Sequence, residues 1–246
     1  MMSIQKASTR YPQVNCETCA NRHGGLCGAL SVKQLAKLRA IARLRVVPEG
    51  FPLYRAGDAV DSYASVVRGA VKLTKTTAGG VHHVVALIYP PEFLGYSQEN
   101  EHRYSATAAI DAELCTYPKA AFHRLLQNEH ELCLRLLEYT ARELEFSRDW
   151  GLMLACKSSY ERVAGFFLLV AKDVKNSARV AGREPGITIR LPLTRTELAN
   201  FLGLTPETVS RNITRLKRKG LIQFPTLRGV IVPDIRQLAA EVDFIV

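Results

Sequence analysis

Twice along this chain the spacing of apolar residues changes period, and the two changes divide it into three kinds of structure. Between Ser31 and Arg45, Val32, Leu35, Leu38 and Ile41 recur at helical spacing, which predicts a short helix packed on the next part of the chain. From Val46 to Pro118 the pattern becomes short β-type runs: Phe51 to Tyr54, Tyr63 to Val67, Ala70 to Lys75, Val81 to Tyr89, Tyr104 to Ile110 and Glu113 to Tyr117. Gly50, Gly57, Gly69, Gly79, Gly80 and Gly95 punctuate them. Many short strands separated by turn residues read as an antiparallel sandwich, barrel or jelly roll. From Lys119 onward the helical period returns.

The stretch from Glu129 to Cys156 has no proline, and its Leu134, Leu137, Ala141 and Leu144 alternate three and four apart, the spacing of a coiled-coil seam. Such a helix can pair with a copy of itself; the alternative is an amphipathic helix covering the sheet. A second helix is expected over Ser159 to Lys172, followed by a charged linker from Asp173 to Gly186 that contains Gly182 and Pro185. The whole is an α+β chain with four parts: a cysteine-rich segment (1–30), a β-sheet domain (31–128), a long helix (129–156) and a C-terminal domain (157–246). A hydrophobic content of 47% with 23% charged residues is a globular balance and excludes disordered or collagen-like chains. No apolar run approaches the roughly 18 residues of a membrane span, Gly165 to Ala171 being of buried-helix size, so no membrane partner is expected. Lys6 and Arg10 are followed by polar and cysteine-containing sequence where a signal peptide would be apolar, which points to the cytoplasm and to reduced thiols.

The net charge of +10 is unevenly placed: residues 157–246 hold 15 Lys and Arg against 8 Asp and Glu, residues 1–156 hold 18 against 15. A basic final third suits nucleic acid. Within it, Thr194 and Glu197 form a capping-box start to a short helix that stops at Gly203. Thr205 and Pro206 then open a second helix ending near Gly220. Two helices joined by so short a turn make a helix-turn-helix candidate. Val209, Ile213 and Leu216 form the core stripe of the second helix, leaving Glu207, Ser210, Arg211, Thr214 and Arg218 outward. Arginine can bridge guanine O6 and N7, glutamate can accept from cytosine N4 and serine can contact either, while Arg215, Lys217, Arg218 and Lys219 are placed for phosphates. The bland alternative is a surface ion pair between Glu207 and Arg211. Leu221 to Val232 would form a β-wing behind the helix.

Three of six cysteines, Cys16, Cys19 and Cys27, lie in a twelve-residue window. In a reducing compartment this clustering suggests a metal centre. Zinc sites and iron-sulfur clusters usually take four ligands, so a fourth must come from His23, Cys115, Cys133, Cys156 or outside. Cys133 and Cys156 fall in the helical pattern and read as small core residues. His82 and His83 are adjacent on a strand and so point to opposite faces, which suits surface positions better than a haem or cupin-type metal site. With no Gly-rich phosphate loop, nucleophile elbow or H-E-x-x-H helix, the chain is not expected to be an enzyme.

The run Gly203-Leu-Thr-Pro-Glu-Thr-Val-Ser-Arg211 resembles the recognition-helix signature of the Crp/Fnr superfamily of bacterial transcription regulators, and its Glu-x-x-Ser-Arg arrangement that of the oxygen-sensing FNR branch. The resemblance implies an N-terminal β-roll sensor, a long dimerisation helix and a C-terminal winged helix-turn-helix. It implies that Cys16, Cys19, Cys27 and Cys115 hold a 4Fe-4S cluster, although seven residues separate the second and third cysteines where the best-known member has fewer. It also implies a homodimer that reads double-stranded promoter DNA, a palindrome of the TTGAT-N4-ATCAA type, through Glu207, Ser210 and Arg211, with Thr208 beside them in the signature. RNA polymerase is the implied partner, with the loop at Gly79 and Gly80 as candidate contact. No cyclic nucleotide is expected: Tyr96 follows Gly95 where such members carry glutamate, and Ser105-Ala106 stands near their Arg-Ser pair.

Overall fold

The computed structural model of the chain describes residues 16, 19–28, 30–77, 79–80, 82–95, 100–177 and 186–242, with the backbone alone at residues 20 and 23. Lys6, Arg10, Tyr96, Gly182, Pro185 and the His23 side chain therefore lie outside the described residues. The chain forms two compact units, Met1–Leu73 with Leu87–Leu137, and Thr74–Ala86 with Glu138–Val246.

In the first unit the Ser31 hydroxyl accepts from the Gln34 N–H and the Gln34 side chain accepts from the Ser31 N–H, a reciprocal cap that starts helix α1, Val32–Ile41. This helix is shorter than the expected Ser31-to-Arg45 segment. Ala42 adopts extended backbone and the chain enters strand β1, Arg43–Val47, because those residues pair with a distant strand, from Arg43↔Thr116 to Val47↔Ala112. The further strands are β2 (Pro52–Tyr54), β3 (Ser62–Arg68), β4 (Val71–Thr76), β5 (His82–Ile88), β6 (Phe93–Leu94), β7 (Ser105–Ala108) and β8 (Ala112–Pro118). One sheet runs β1-β8-β3-β6 and the other β2-β7-β4-β5. All six expected runs are strands, and the two-residue β6 is an addition.

Helices α2 (Lys119–Asn128) and α3 (His130–Cys156) come next. Side chains alternate along β8, so Cys115 and Tyr117 share one face while Leu114 and Thr116 share the other. On the first face Tyr63, Phe93 and Tyr117 gather around Phe122 of α2, with ring centroids 5.4–5.6 Å from the Phe122 ring. Such pairs contribute about 0.5–1.5 kcal/mol each beyond their burial. They fix the position of Cys115, next along that face.

In the second unit helix α4, Ser159–Ser177, runs past the expected Lys172 and buries Val163 through Ala171 almost completely. Strand β9 (Ile187–Arg190), helices α5 (Arg195–Leu202) and α6 (Pro206–Arg218), strand β10 (Gly229–Val232) and helix α7 (Ile235–Ala240) complete it. The expected wing is present: Gln223 pairs with Ile231, and β10 pairs with β9 from Gly229↔Arg190 to Val232↔Ile187. Sequence reading assigns no element to β9 or α7. Nor are Cys133 and Cys156 core residues: both are exposed, because α3 turns Leu132, Leu136 and Met153 inward instead.

No helix among the described residues is long and apolar enough to cross a membrane.

Candidate metal centre and nucleic-acid interface

Two short 3-10 turns, Ala20–His23 and Gly25–Cys27, carry the cysteine segment over the first unit. Three features hold them there. The Asn21 amide donates to the Val66 carbonyl at 2.7 Å, Leu26 and Leu30 are buried, and Gly25 lies against the Pro91 backbone. The result brings Cys16, Cys19 and Cys27 to the face of β8 that carries Cys115. All four line one recess, walled by Leu35 and Leu38 of α1, Val67 and Tyr117, with Arg22 and Arg39 also on its lining.

The electrostatics follow from this crowding. Burial first, then repulsion from Cys115, Cys19 and Cys16, pushes the Cys27 thiol up to about 12, against the pull of a hydrogen bond from Tyr117. Burial likewise raises Cys115 to about 11. Cys16 is raised by burial and by Cys19, with Arg39 and Arg22 pulling the other way. Without a cation the recess favours the neutral thiols of Cys16, Cys27 and Cys115. The Asn21 side-chain oxygen, also on the lining, is buried without a hydrogen-bond partner. Among the described residues no three Cys, His, Asp or Glu side chains converge closely enough to hold one metal ion. His82 is exposed and meets Thr76 at 2.9 Å, a surface contact as the sequence suggests.

In the second unit the helix-turn-helix forms as its caps dictate. Thr194 and Glu197 cap α5 reciprocally, Gly203 ends it with φ +62°, and the Thr205 hydroxyl accepts from the Thr208 N–H with Pro206 at the first helical position of α6. Val209, Ile213 and Leu216 are buried, so Glu207, Ser210, Arg211, Thr214, Arg215 and Arg218 are exposed and Thr208 half-exposed. Arg211 donates to the Thr208 hydroxyl at 3.3 Å and Thr214 to the Ser210 carbonyl. The Glu207 carboxylate is held below its usual pKa by its own backbone N–H and by Thr205, so it is an ionised acceptor.

Three of the basic residues expected at phosphates have internal partners, Lys217 among them with its ammonium 5.8 Å from the centre of the Phe224 ring. The Arg215 guanidinium lies 4.1 Å from the centre of the Tyr160 ring, and Lys219 pairs with Glu241 at 2.7 Å. Asn212, buried on the same helix, donates to the Ser159 hydroxyl. Sequence reading missed this anchoring, since nothing local to α6 announces Tyr160 or Ser159. It also missed a groove beside α6, where Ser210, Thr214 and Lys217 face Thr194, Arg195 and the wing residues Thr226 to Arg228. Leu227 at the wing is 95% exposed. The capping role of Thr194 and the basic wing residue were the available signals.

Comparisons with known proteins agree with this architecture. A model of the Crp-like helix-turn-helix domain matches residues 161–241, and one of the cyclic nucleotide-binding domain matches residues 44–129. In the latter, Ser105 accepts from the Ala56 N–H at 3.0 Å. A probable transcriptional activator of Rhizobium leguminosarum bv. viciae is 36% identical over 92% of each chain. The transcriptional activator protein FnrL of Cereibacter sphaeroides is 36% identical over 92% of this chain and 91% of its own. The solved structure of FixK2 from Bradyrhizobium japonicum superposes with a TM-score of 0.71 at 26% identity, covering 84% of this chain and all of that one. A β-roll, a long helix and a winged helix-turn-helix with relatives of this likeness along nine-tenths of the sequence lead to one assignment: the chain belongs to the Crp/Fnr family of transcription regulators.

Proposed function

We propose that this DNA-binding transcription regulator responds to oxygen through a 4Fe-4S cluster held by Cys16, Cys19, Cys27 and Cys115. The observation that carries the reading is that the three clustered thiols and Cys115, remote from them in sequence, line one recess. The donor set is soft and thiolate-only, and it is spread around a cavity. That arrangement suits a polynuclear core with one thiolate per iron better than a single zinc ion, whose ligands all lie about 2.0–2.3 Å from one point. A cationic core also reverses the thiol electrostatics, since a coordinated thiol is deprotonated outright. Four thiolates leave the loaded site anionic, and Arg22 and Arg39 offset that charge.

When bound, such a cluster supplies oxygen-labile redox chemistry. This chain's own residues supply the rest. With a cluster held by the four cysteines, the cysteine segment would be clamped to β8 and pairing of two chains along α3 would be favoured, where Leu134, Leu137 and Leu144 are exposed apolar residues and Ala141 is exposed between them. Two joined heads then read a TTGAT-N4-ATCAA-like palindrome, one half-site each, and recruit RNA polymerase. Two relatives carry the name of transcriptional activator, one of them as a probable activator, which supports that last step.

Anaerobically purified protein is expected to be brown and to contain about four irons and four acid-labile sulfides per chain. Colourless protein with stoichiometric zinc would overturn the reading. For the DNA face, Arg211→Ala should cost about 1–3 kcal/mol on the palindrome and relax preference at one symmetric base position. Equal losses on every DNA sequence, measured by competition binding, would remove Arg211 from base reading.

A further inference from the structure

Tyr117 is 1% exposed, and its phenol sits in the aromatic cluster of Tyr63, Phe93 and Phe122. Phe93 and Phe122 show that this packing needs no hydroxyl. A buried hydroxyl without a partner costs free energy, so its partners say what it is for. Two residues beyond Cys115 on β8, it shares the face of the recess that it lines. Its hydroxyl is hydrogen-bonded to the Cys115 and Cys27 sulfurs, and Ser65 is bonded to it in turn. Ser65 stands directly opposite Cys115 in the β3–β8 register and is 3% exposed. Once the sulfurs ligate as thiolates they only accept, so the single phenol proton is shared between them and the serine hydroxyl donates to the phenol oxygen.

The geometry points to Tyr117 as a positioning residue that donates its hydroxyl to the sulfurs of Cys115 and Cys27 and thereby sets the reduction potential of the centre they hold. This rests on the cluster reading above. Hydrogen bonds to ligating sulfur stabilise the more negative redox state and raise the potential. The couple concerned is the gain of one electron, from dithionite, by the 2+ core to give the 1+ core. With the hydroxyl gone, an electron is also given up more readily to dioxygen, which leaves as superoxide.

The test uses full-length protein purified without oxygen, with iron and sulfide analysis, a dithionite titration followed by electron paramagnetic resonance, and the rate of bleaching in air. Tyr117→Phe is expected to retain about four irons and four sulfides and to shift the one-electron equilibrium towards the oxidised form about tenfold, which is about 59 mV. Bleaching should quicken several-fold. Tyr63→Phe is the control: its hydroxyl meets His123 at 2.8 Å, so removing it should leave the potential unchanged. Should Tyr117→Phe fail to assemble a centre, Ser65→Ala, which removes only the donor behind the phenol, is expected to give a smaller shift of the same sign. A wild-type centre whose potential moves no more in Tyr117→Phe, or in Ser65→Ala where that stands in, than in Tyr63→Phe overturns this proposal alone. Wild-type protein without iron and sulfide overturns the cluster reading and this proposal with it.

Discussion

Leu144→Glu is expected to lower affinity for a palindromic site by about 10²- to 10⁴-fold while leaving affinity for an isolated half-site unchanged. Leu144 is 51% exposed on α3, so its replacement removes little from the protomer's own core, and surface substitutions of this kind usually move stability by no more than about 0.5 kcal/mol. In a paired helix the same position meets its counterpart, and two carboxylates there would be desolvated side by side with like charge. A single protomer carries one α6, with too few base and phosphate contacts to compete against bulk DNA. Sedimentation equilibrium and binding to full and half palindromes should therefore change together. Unchanged sedimentation would remove α3 from the interface. Leu136, 5% exposed on the same helix, is the useful contrast: truncating it should unfold the protomer rather than separate a pair.

The same helix shows how far sequence reaches. Its apolar residues fall into two sets, one buried (Leu132, Leu136, Met153) and one exposed (Leu134, Leu137, Leu144), and the heptad spacing of the exposed set is visible in the sequence. Which set faces the protomer is not, and Cys133 and Cys156 show the consequence: helical period alone does not say on which side a small residue lies. Caps were legible because they are local; Ser and Thr hydroxyls bond amides three residues on, and Thr194, Gly203 and Thr205 do what their residue types dictate. Strands β1 and β9 were not, because Arg43–Val47 and Ile187–Arg190 are strands by virtue of partners 65 or more and about 40 residues away, respectively. Arg215 and Lys219 read as phosphate contacts from charge alone, while Tyr160 and Glu241 take part of that charge for internal anchoring. The recess is an intermediate case. Spacing grouped three thiols and the family resemblance named Cys115 with them, but only the fold shows the four on one recess, together with the Tyr117 hydroxyl that no motif announces.

Gly25→Ala should undock the cysteine segment without disturbing the sheets. Gly25 has φ +54°, where a non-glycine residue costs about 1–3 kcal/mol, and a Cβ there would lie 2.3 Å from the Pro91 carbonyl oxygen, so backbone must move as well. A loss of at least about 2 kcal/mol lowers the ratio of docked to undocked segment about thirtyfold. Few contacts oppose it: the Asn21–Val66 hydrogen bond, the burial of Leu26 and Leu30, and the Tyr117 hydroxyl at the Cys27 sulfur. In metal-free protein at fixed pH, alkylation of Cys27 and Cys115 should quicken by about that factor, since undocking both exposes the thiols and lets their pKa values fall from about 12 and about 11 towards the ordinary range. These shifts also set the sign of the pH dependence. Docking is strongest where the thiols are neutral in both states, below about pH 9, and weakens as pH rises through the ordinary thiol pKa towards the raised values. Iron retention in anaerobic preparations should fall with docking. Gly79→Ala, at a position with open space and no left-handed backbone, should change neither quantity. Equal alkylation rates for Gly25→Ala and the parent protein would mean that Gly25 does not hold Cys27 over β8, and the four-thiol recess would lose its structural basis.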